Sequence, residues 1–326
     1  MKYLSTTIIC LLIIVFSFNL QPVSANNYIL KFGTVVTSDS PWGKIAQKYI
    51  NQIKSESKGR LEIKIYWAGS LGTSDQMVRM VRQNRLQAMG VSAFSFSNIL
   101  PEIQVISLPY MFEDDDQAEE ILDKKLFNPI AEKLRKKGFE LLGWSGGSWS
   151  GIGTKDRFIL KPEDIKGLKT AIPGSDFIIT MWKSLGGNGV KLSSSEVLNA
   201  MQTKMVDAFV GMPEIVSSAQ WYKTIKYYTY TKDVYVPGMI IVSKSFWDKL
   251  PDDLKNIIKT NINEMLIETR NQNHDLPNKI LKAFNEAGIK THIHTQAERN
   301  LFKSKTLFIK DDFINKYGSE LINLIK

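Results

Sequence analysis

Residues 168–213 constrain the fold more than any other part of the 326-residue chain. Their pattern predicts a strand, a helix, a short strand, a second helix and a third strand in succession. Parallel strands of one sheet are joined in this way, through crossover helices. Ligands of such sheets bind at the carboxyl ends of the strands. The two predicted strand ends, residues 171–175 and 211–213, are therefore candidates for one wall of a ligand cleft.

The amino terminus has the composition of a signal peptide. Lys2 forms a short basic region, residues 8–18 are apolar, and Val23-Ser24-Ala25 supplies the small residues of a cleavage site. The apolar run is shorter than the roughly 20 residues that a membrane-spanning helix needs. We therefore expect residues 1–25 to be removed on export, which predicts a periplasmic protein.

Composition excludes several classes of site. The formal net charge is +9, but the lysines are spread along the chain and form no basic cluster with interleaved aromatic residues, so we expect no nucleic-acid partner. The single cysteine, Cys10, lies in the signal peptide, so the mature chain is expected to hold no disulfide and no Cys–metal site. There is neither a phosphate-binding loop nor a dinucleotide fingerprint, and we predict no cofactor.

One motif suggests an alternative function. Residues 143–147 match the nucleophile-elbow pattern Gly-x-Ser-x-Gly around Ser145, and His274, His292 or His294 could complete a catalytic triad. The elbow requires a helix directly after the serine, whereas the glycine-rich run that follows here is a poor helix former. We expect no enzyme and keep a secreted serine hydrolase as an alternative. His292 and His294 share one face of a predicted strand, but no third ligand is evident, so no metal site is predicted.

Aromatic residues recur at or near the predicted strand ends. Trp42 lies in the first turn of a helix after the first strand, where it either caps the core stripe or faces a cleft. Phe94 follows the third strand, and Trp149 and Trp221 lie in less regular segments, where a pocket role is more plausible. These positions are typical of residues that line an apolar ligand site.

Several stretches together resemble one family, the solute-binding subunits of tripartite ATP-independent periplasmic (TRAP) transporters, known as the DctP family. In chain order they are Phe32-Gly33-Thr34, Ser40-Pro41-Trp42, Ala68-Gly69-Ser70-Leu71-Gly72, Leu108-Pro109-Tyr110-Met111-Phe112, Pro162-Glu163-Asp164-Ile165-Lys166-Gly167-Leu168-Lys169, Ile172-Pro173-Gly174-Ser175, Ser194-Ser195-Glu196-Val197 and Phe246-Trp247-Asp248. The resemblance covers nearly all of the mature chain.

The resemblance implies a two-lobed α/β periplasmic binding protein in which a long helix spans both lobes. Such a protein closes over a small-molecule solute and delivers it to the TRAP membrane subunits. We expect residues 26–149 and 237–276 to form lobe I, residues 150–236 and 277–326 to form lobe II, and the protein to be a monomer.

The departures from the family pattern bear on the ligand. Members usually carry an arginine where this chain has Ala171, many carry a second arginine where it has Trp149, and an asparagine stands at the position of Met212. Arginine holds a carboxylate through two parallel charge-assisted hydrogen bonds, which none of these side chains can make. Burying an unpaired carboxylate would cost several kcal/mol. The residues 219–222, with Ser-Pro-Trp near the start, resemble a divergent branch that also lacks the arginine.

We therefore predict a neutral or largely apolar ligand, held at a site formed by Trp42, Phe94, Trp149, Ala171, Met212 and Trp221. One alternative remains within the same class of protein, namely an organic acid held by another cation such as Lys169 or Lys191.

Overall fold

The computed structural model describes residues 27–174 and 176–325. The predicted signal peptide, residues 1–25, lies outside the described residues. Among the residues that are described, no helix combines the length and the apolar character needed to cross a membrane.

The strands of the described chain form two sheets. In chain order they are β1 (Tyr28–Thr34), β2 (Leu61–Tyr66), β3 (Ala88–Ser92), β4 (Phe139–Trp149), β5 (Gly151–Thr154), β6 (Lys169–Ile172), β7 (Asn188–Lys191), β8 (Ala208–Gly211), β9 (Tyr227–Tyr230), β10 (Tyr235–Ser243) and β11 (Lys290–Ile293). The first sheet has the order β2-β1-β3-β10-β4 and the second β11-β9-β5-β8-β6-β7.

The α-helices cover the sheets and connect the strands. They are α1 (Pro41–Glu56), α2 (Ser74–Arg82), α3 (Asp115–Ile121), α4 (Phe127–Lys136), α5 (Asp176–Ser184), α6 (Ser194–Gln202), α7 (Pro213–Ser218), α8 (Lys244–Trp247), α9 (Asp252–Glu286), α10 (Gln296–Thr306), α11 (Phe308–Tyr317) and α12 (Glu320–Ile325). Short 3₁₀ segments lie at Ala93–Phe96, Pro101–Ser107, Pro162–Ile165 and Trp221–Thr224, and a π-helical turn lies at Leu122–Leu126.

Residues 168–213 fold as predicted. They form β6, α5, β7, α6 and β8, and β6 pairs in parallel with both β7 and β8. Ser193 and Glu196 form the predicted capping box, in which the Glu196 carboxylate accepts from the Ser193 backbone N–H at 2.8 Å. The carboxyl ends of β6 and β8 therefore lie side by side, which is the arrangement on which the predicted cleft depends.

The glycine-rich segment after residue 144 differs from the prediction. Instead of ending there, β4 runs on through Gly146 and Gly147 to Trp149 and pairs with β10. Close packing explains the glycine at position 147, because a Cβ atom there would lie 2.7 Å from the Val236 carbonyl oxygen of the partner strand. The strand then changes sheets at Ser150, so the glycines allow two strands to cross closely between the lobes.

The carboxyl-terminal helix pattern also differs. The sequence predicts one helix to about residue 274 and another from 278, whereas α9 is a single helix of 35 residues. Pro277 lies inside it and is buried. A proline at this place cannot donate to the Asn273 carbonyl, which weakens the helix locally without ending it here. The long helix packs on both α1 and β4 of the first sheet and on α7 of the second, as the resemblance implies.

The two lobes share one hydrophobic core cluster, which includes Met89 and Trp144 of the first sheet and Ile172 and Phe209 of the second. A smaller cluster lies between α1, the first sheet and α9 and contains Tyr49 and Ile258. The boundaries predicted for the lobes stay a prediction. The chain passes from one sheet to the other between β4 and β5 and returns between β9 and β10.

Candidate functional site

The strand ends of the two sheets meet beside Gly174. This glycine follows β6 with a φ of +113°, and a Cβ atom on it would lie 3.1 Å from the Phe94 ring. Phe94 belongs to the 3₁₀ segment that follows β3 in the first sheet. The predicted site residue Phe94 thus lies against the predicted strand end of the second sheet, and only glycine fits the backbone there.

Ala171 and Met212 stand at the ends of neighbouring strands. Ala171 is fully buried in β6, opposite Val190 and Phe209. Met212 is half-buried and begins α7, where its backbone occupies the N-cap position without a side-chain cap. Both positions, at which the resemblance implies polar gripping groups, therefore carry apolar side chains.

Glu214, a buried carboxylic acid, lies two residues after Met212, in the first turn of α7. It is 5% exposed, and neither carboxyl oxygen has a hydrogen-bond partner within the described chain. Burial raises the pKa of Glu214 to about 7; the backbone N–H at the helix start and the nearby Ser148 hydroxyl act in the opposite direction, and Asp115 raises the pKa further. An unpaired acid at this depth is costly, which marks it as a candidate functional group.

Groups from both sheets surround this acid. Ser148 lies in β4 of the first sheet and its hydroxyl is buried without a hydrogen-bond partner, whereas Tyr230 ends β9 of the second sheet. Burial raises the pKa of Tyr230, and the Glu214 charge adds to this effect. Because the cluster draws on both lobes, it lies where they come together.

Trp149 connects the cluster to helix α3. Its ring is 1% exposed, and its indole N–H donates to the Asp115 carboxylate at 3.0 Å. The ring lies 5.1 Å from that of Tyr235, and the Arg299 guanidinium lies 5.8 Å from its centre. Burial raises the pKa of Asp115. Trp149 is therefore a fixed aromatic residue beside the half-buried Asp115.

Trp42 contacts the long helix. Its indole N–H donates to Oδ1 of Asn273 at 2.7 Å, and the Asn273 amide donates to the Ser145 carbonyl at 3.5 Å. The half-buried ring thus bridges the start of α1, α9 and the crossing strand β4.

Trp221 makes different contacts. It is 1% exposed, its ring lies 5.1 Å from that of Phe209, and it covers Gly211. These are contacts of a core residue beneath the second sheet. A role for Trp221 in solute contact stays a prediction.

Two arginines contact the crossing strands, and the buried Nε of Arg299 has no hydrogen-bond partner within the described residues. Arg270 binds Asp123 through both terminal nitrogens, at 2.5 and 2.8 Å, and donates to the Trp144 carbonyl. The Arg299 guanidinium donates to the Glu113 carbonyl at 3.3 Å.

The two lysines of the acid-binding alternative lie on the surface. Lys169 is exposed at the amino end of β6, away from the strand end that carries Ala171. Lys191 is exposed and forms an ion pair with Asp176 at 2.7 Å.

The hydrolase motif does not form its required geometry. Ser145 lies within the continuous strand β4, with no helix after it. The three histidines interact elsewhere: His274 with Glu119, His292 with Glu298 and His294 with the Ile159 carbonyl. No group of three metal-ligating side chains occurs in residues 27–174 and 176–325.

Sequence reasoning missed the acids of this site. Asp115 falls in an acidic run that reads as a helix start, and Asp114 does cap α3. Glu214 reads as an ordinary first-turn acid after proline. The one sequence feature that pointed to Glu214 was its position directly after a predicted strand end. The burial of its carboxyl group could not be predicted, because it depends on strands that are far apart in the sequence.

Taken together, two α/β lobes, two crossing strands and a shared long helix define the class of two-lobed solute-binding proteins. The family model for the bacterial extracellular solute-binding proteins, family 7 (DctP), matches residues 32–316. The chain belongs to this family. It is a periplasmic solute-binding component of the TRAP transport system, which works with TRAP membrane subunits, and it is not an enzyme.

Individual relatives are distant but extend over most of the chain. The 2,3-diketo-L-gulonate-binding periplasmic protein YiaO of Escherichia coli is 23% identical, over 86% of this chain and 87% of its own. The C4-dicarboxylate-binding periplasmic protein DctP of Rhodobacter capsulatus is 25% identical, over 94% and 92%.

Solved structures agree with the fold. The sugar acid binding protein DctPAm of Advenella mimigardefordensis, in complex with galactonate, superposes with a TM-score of 0.86 at 24% identity and covers 92% of this chain and 97% of its own. A TRAP periplasmic solute binding protein of Sulfurospirillum deleyianum with bound succinate has a TM-score of 0.84 at 25% identity, covering 92% and 98%. Both of those proteins hold acids.

Proposed function

We propose that this protein captures a solute whose recognised group is not a carboxylate, and that it belongs to a branch of the family without the carboxylate-gripping arginine. The observation that carries the proposal is the set of side chains at the strand ends. They are Ala171, Met212 and the buried, unpaired Glu214, and an ionised Glu214 would repel a carboxylate.

The aromatic and apolar residues supply the remaining contacts in this proposal. Trp42, Phe94, Trp149 and Met212 would contact the body of the solute, which is largely apolar. Ligand sites of this kind combine apolar walls with a few polar groups that orient the ligand. Ala171 occupies the strand end from which an arginine would project, while Trp221 supports the sheet beneath.

Native mass spectrometry of the protein, purified without unfolding from its own periplasm, tests the proposal. We expect a bound compound whose fragmentation reveals no carboxylic acid. A co-purified sugar acid or dicarboxylate, displaced stoichiometrically on unfolding, would contradict it and would favour the acid-binding alternative.

A further inference from the structure

The buried carboxyl group of Glu214 has no evident role in the fold. Glu214 is 5% exposed. The Ser148 hydroxyl and the Glu214 backbone N–H lie close enough to its carboxyl group to lower its pKa, but neither forms a hydrogen bond of normal geometry with it in the described chain. A buried polar group costs free energy unless it is paired, and a buried charge costs more. A carboxyl group that only supported the fold would be expected to have partners.

Aromatic rings and a second carboxylate lie near Glu214. Asp115 lies close enough to raise the pKa of Glu214, and the rings of Trp149 and Tyr230 belong to the same cluster. Cationic groups also lie nearby. Lys232 stands 5.6 Å from the Tyr230 ring centre and forms no ion pair in the described residues, and the Arg299 guanidinium lies 5.8 Å from the Trp149 ring centre. Lys232 and His274 both act against the effect of burial on the pKa of Asp115. Carboxylates beside aromatic faces are the combination that attracts an organic cation.

We propose that Glu214 is the polar anchor of the solute site, and that it receives a protonated nitrogen carried by an otherwise largely apolar solute. The inference rests on the proposed function and narrows its substrate class to amines. The Glu214 carboxylate would accept from the ammonium group, the Ser148 hydroxyl would be a second acceptor, and Asp115 would add negative potential without direct contact.

Binding of such a solute would give the Glu214 carboxylate a hydrogen-bonding and ion-pairing partner. An ammonium group brings both the charge and the hydrogen-bond donors that Glu214 lacks, and charge-assisted hydrogen bonds are the strong ones. A carboxylate at the same place would meet Glu214 and Asp115 as like charges. Because Ser148 lies in the first sheet and Glu214 lies in the helix that follows β8 of the second sheet, the ammonium would be held only when the lobes are together.

Three probes that differ only in their head group test the inference. They are 2-phenylethylamine, 2-phenylethanol and 3-phenylpropionate, titrated calorimetrically into the full mature protein at about pH 8, where the amine and an ion-paired Glu214 are both charged. We expect the amine to bind most tightly. Glu214→Gln should weaken amine binding at least tenfold, while Glu163→Gln, a matched exposed glutamate after a proline, should leave it unchanged.

Each outcome decides between the two proposals. If the alcohol binds and the amine does not, or if Glu214→Gln keeps the amine affinity, the inference is overturned and the proposed function stands. If only the acid binds, both fail. If none of the probes binds at up to about 10 mM, corresponding to less than roughly 3 kcal/mol of binding free energy, the inference is also overturned.

If circular dichroism shows that Glu214→Gln does not fold, the variant Asp115→Asn tests the inference in its place. Asp115→Asn retains an oxygen acceptor for the Trp149 indole N–H but removes the charge. We expect it to weaken amine binding several-fold and to leave alcohol binding unchanged. Equal effects on the amine and the alcohol would overturn the inference.

Discussion

Glu214 lies in an environment that a glutamate side chain does not prefer. Its carboxyl is buried beside Asp115 and has no hydrogen-bond partner in the described chain. Proteins keep such costly groups where function requires them, because a neutral side chain would make the free protein more stable. The free-energy cost of burying the Glu214 carboxylate should therefore appear as a pH dependence of the free energy of unfolding.

Glu214→Gln should remove that pH dependence. The pKa rises from 4.5 unfolded to about 7 folded, so the stabilising protonation is fully present below pH 4.5 and is lost as the pH rises through 7. The difference corresponds to about 3 kcal/mol. Urea unfolding without ligand should show the variant gaining stability relative to wild type, by up to this amount, between pH 5 and pH 8. An equal difference at both pH values would show that Glu214 does not titrate in this range.

Trp42 makes a second residue-scale test possible. Trp42→Phe keeps an aromatic ring but removes the donor to Asn273, leaving a largely buried acceptor unpaired. We expect a loss of about 1 kcal/mol in the free energy of unfolding. Trp67→Phe is the control, since the half-buried Trp67 makes no indole hydrogen bond within the described residues. Equal losses in both variants would mean that ring packing, and not the hydrogen bond, fixes Trp42.

At the scale of elements, the two crossing strands are tied by one buried acid. Asp233 lies between β9 and β10 and accepts from the hydroxyls of Ser150, at 2.6 Å, and Thr231. Its carbonyl also accepts from the Tyr110 backbone N–H at 2.7 Å. The Ser150 and Val234 backbones bond at 2.9 Å in the same place. This cluster fixes the point at which both strands change sheets, so closure must turn about it or rearrange it.

Asp233→Asn should destabilise the protein. Both hydroxyls donate to Oδ1, which the asparagine amide retains only as an uncharged acceptor, so two charge-assisted hydrogen bonds become neutral ones. For a buried site this change costs about 1–3 kcal/mol. Urea unfolding at neutral pH measures the change. Asp312→Asn, at an exposed helix position, is the control and should stay within about 0.5 kcal/mol of wild type. If both variants behave alike, Asp233 does not hold the crossing together.

At the scale of the whole molecule, local patterns predicted the elements well because they depend on neighbouring residues. The alternation of β6, α5, β7, α6 and β8, the Ser40 cap with Pro41, and the capping box at Ser193 all follow from short-range chemistry. Long-range packing decided the rest. The glycine run after Trp144 became strand because β10 pairs with it, and Pro277 stayed inside α9 because both lobes pack on that helix.

The candidate site shows the same division. Phe94 was predicted from its strand end and lies against Gly174 of the other lobe. The buried state of Glu214 could not be predicted, because Ser148 and Tyr230 come from strands that are far from it in sequence. The contacts of Trp221 with Phe209 likewise depend on how the second sheet folds over it.

The most direct measurement is a crystal structure of the protein with the solute that it carries from its own periplasm. We predict electron density between the lobes beside Met212 and Phe94, with a nitrogen of the solute within hydrogen-bond distance of the Glu214 carboxylate and no carboxylate in the solute. A carboxylate between the lobes, bound by the Arg270 or Arg299 guanidinium or by the Lys232 ammonium, would contradict the account.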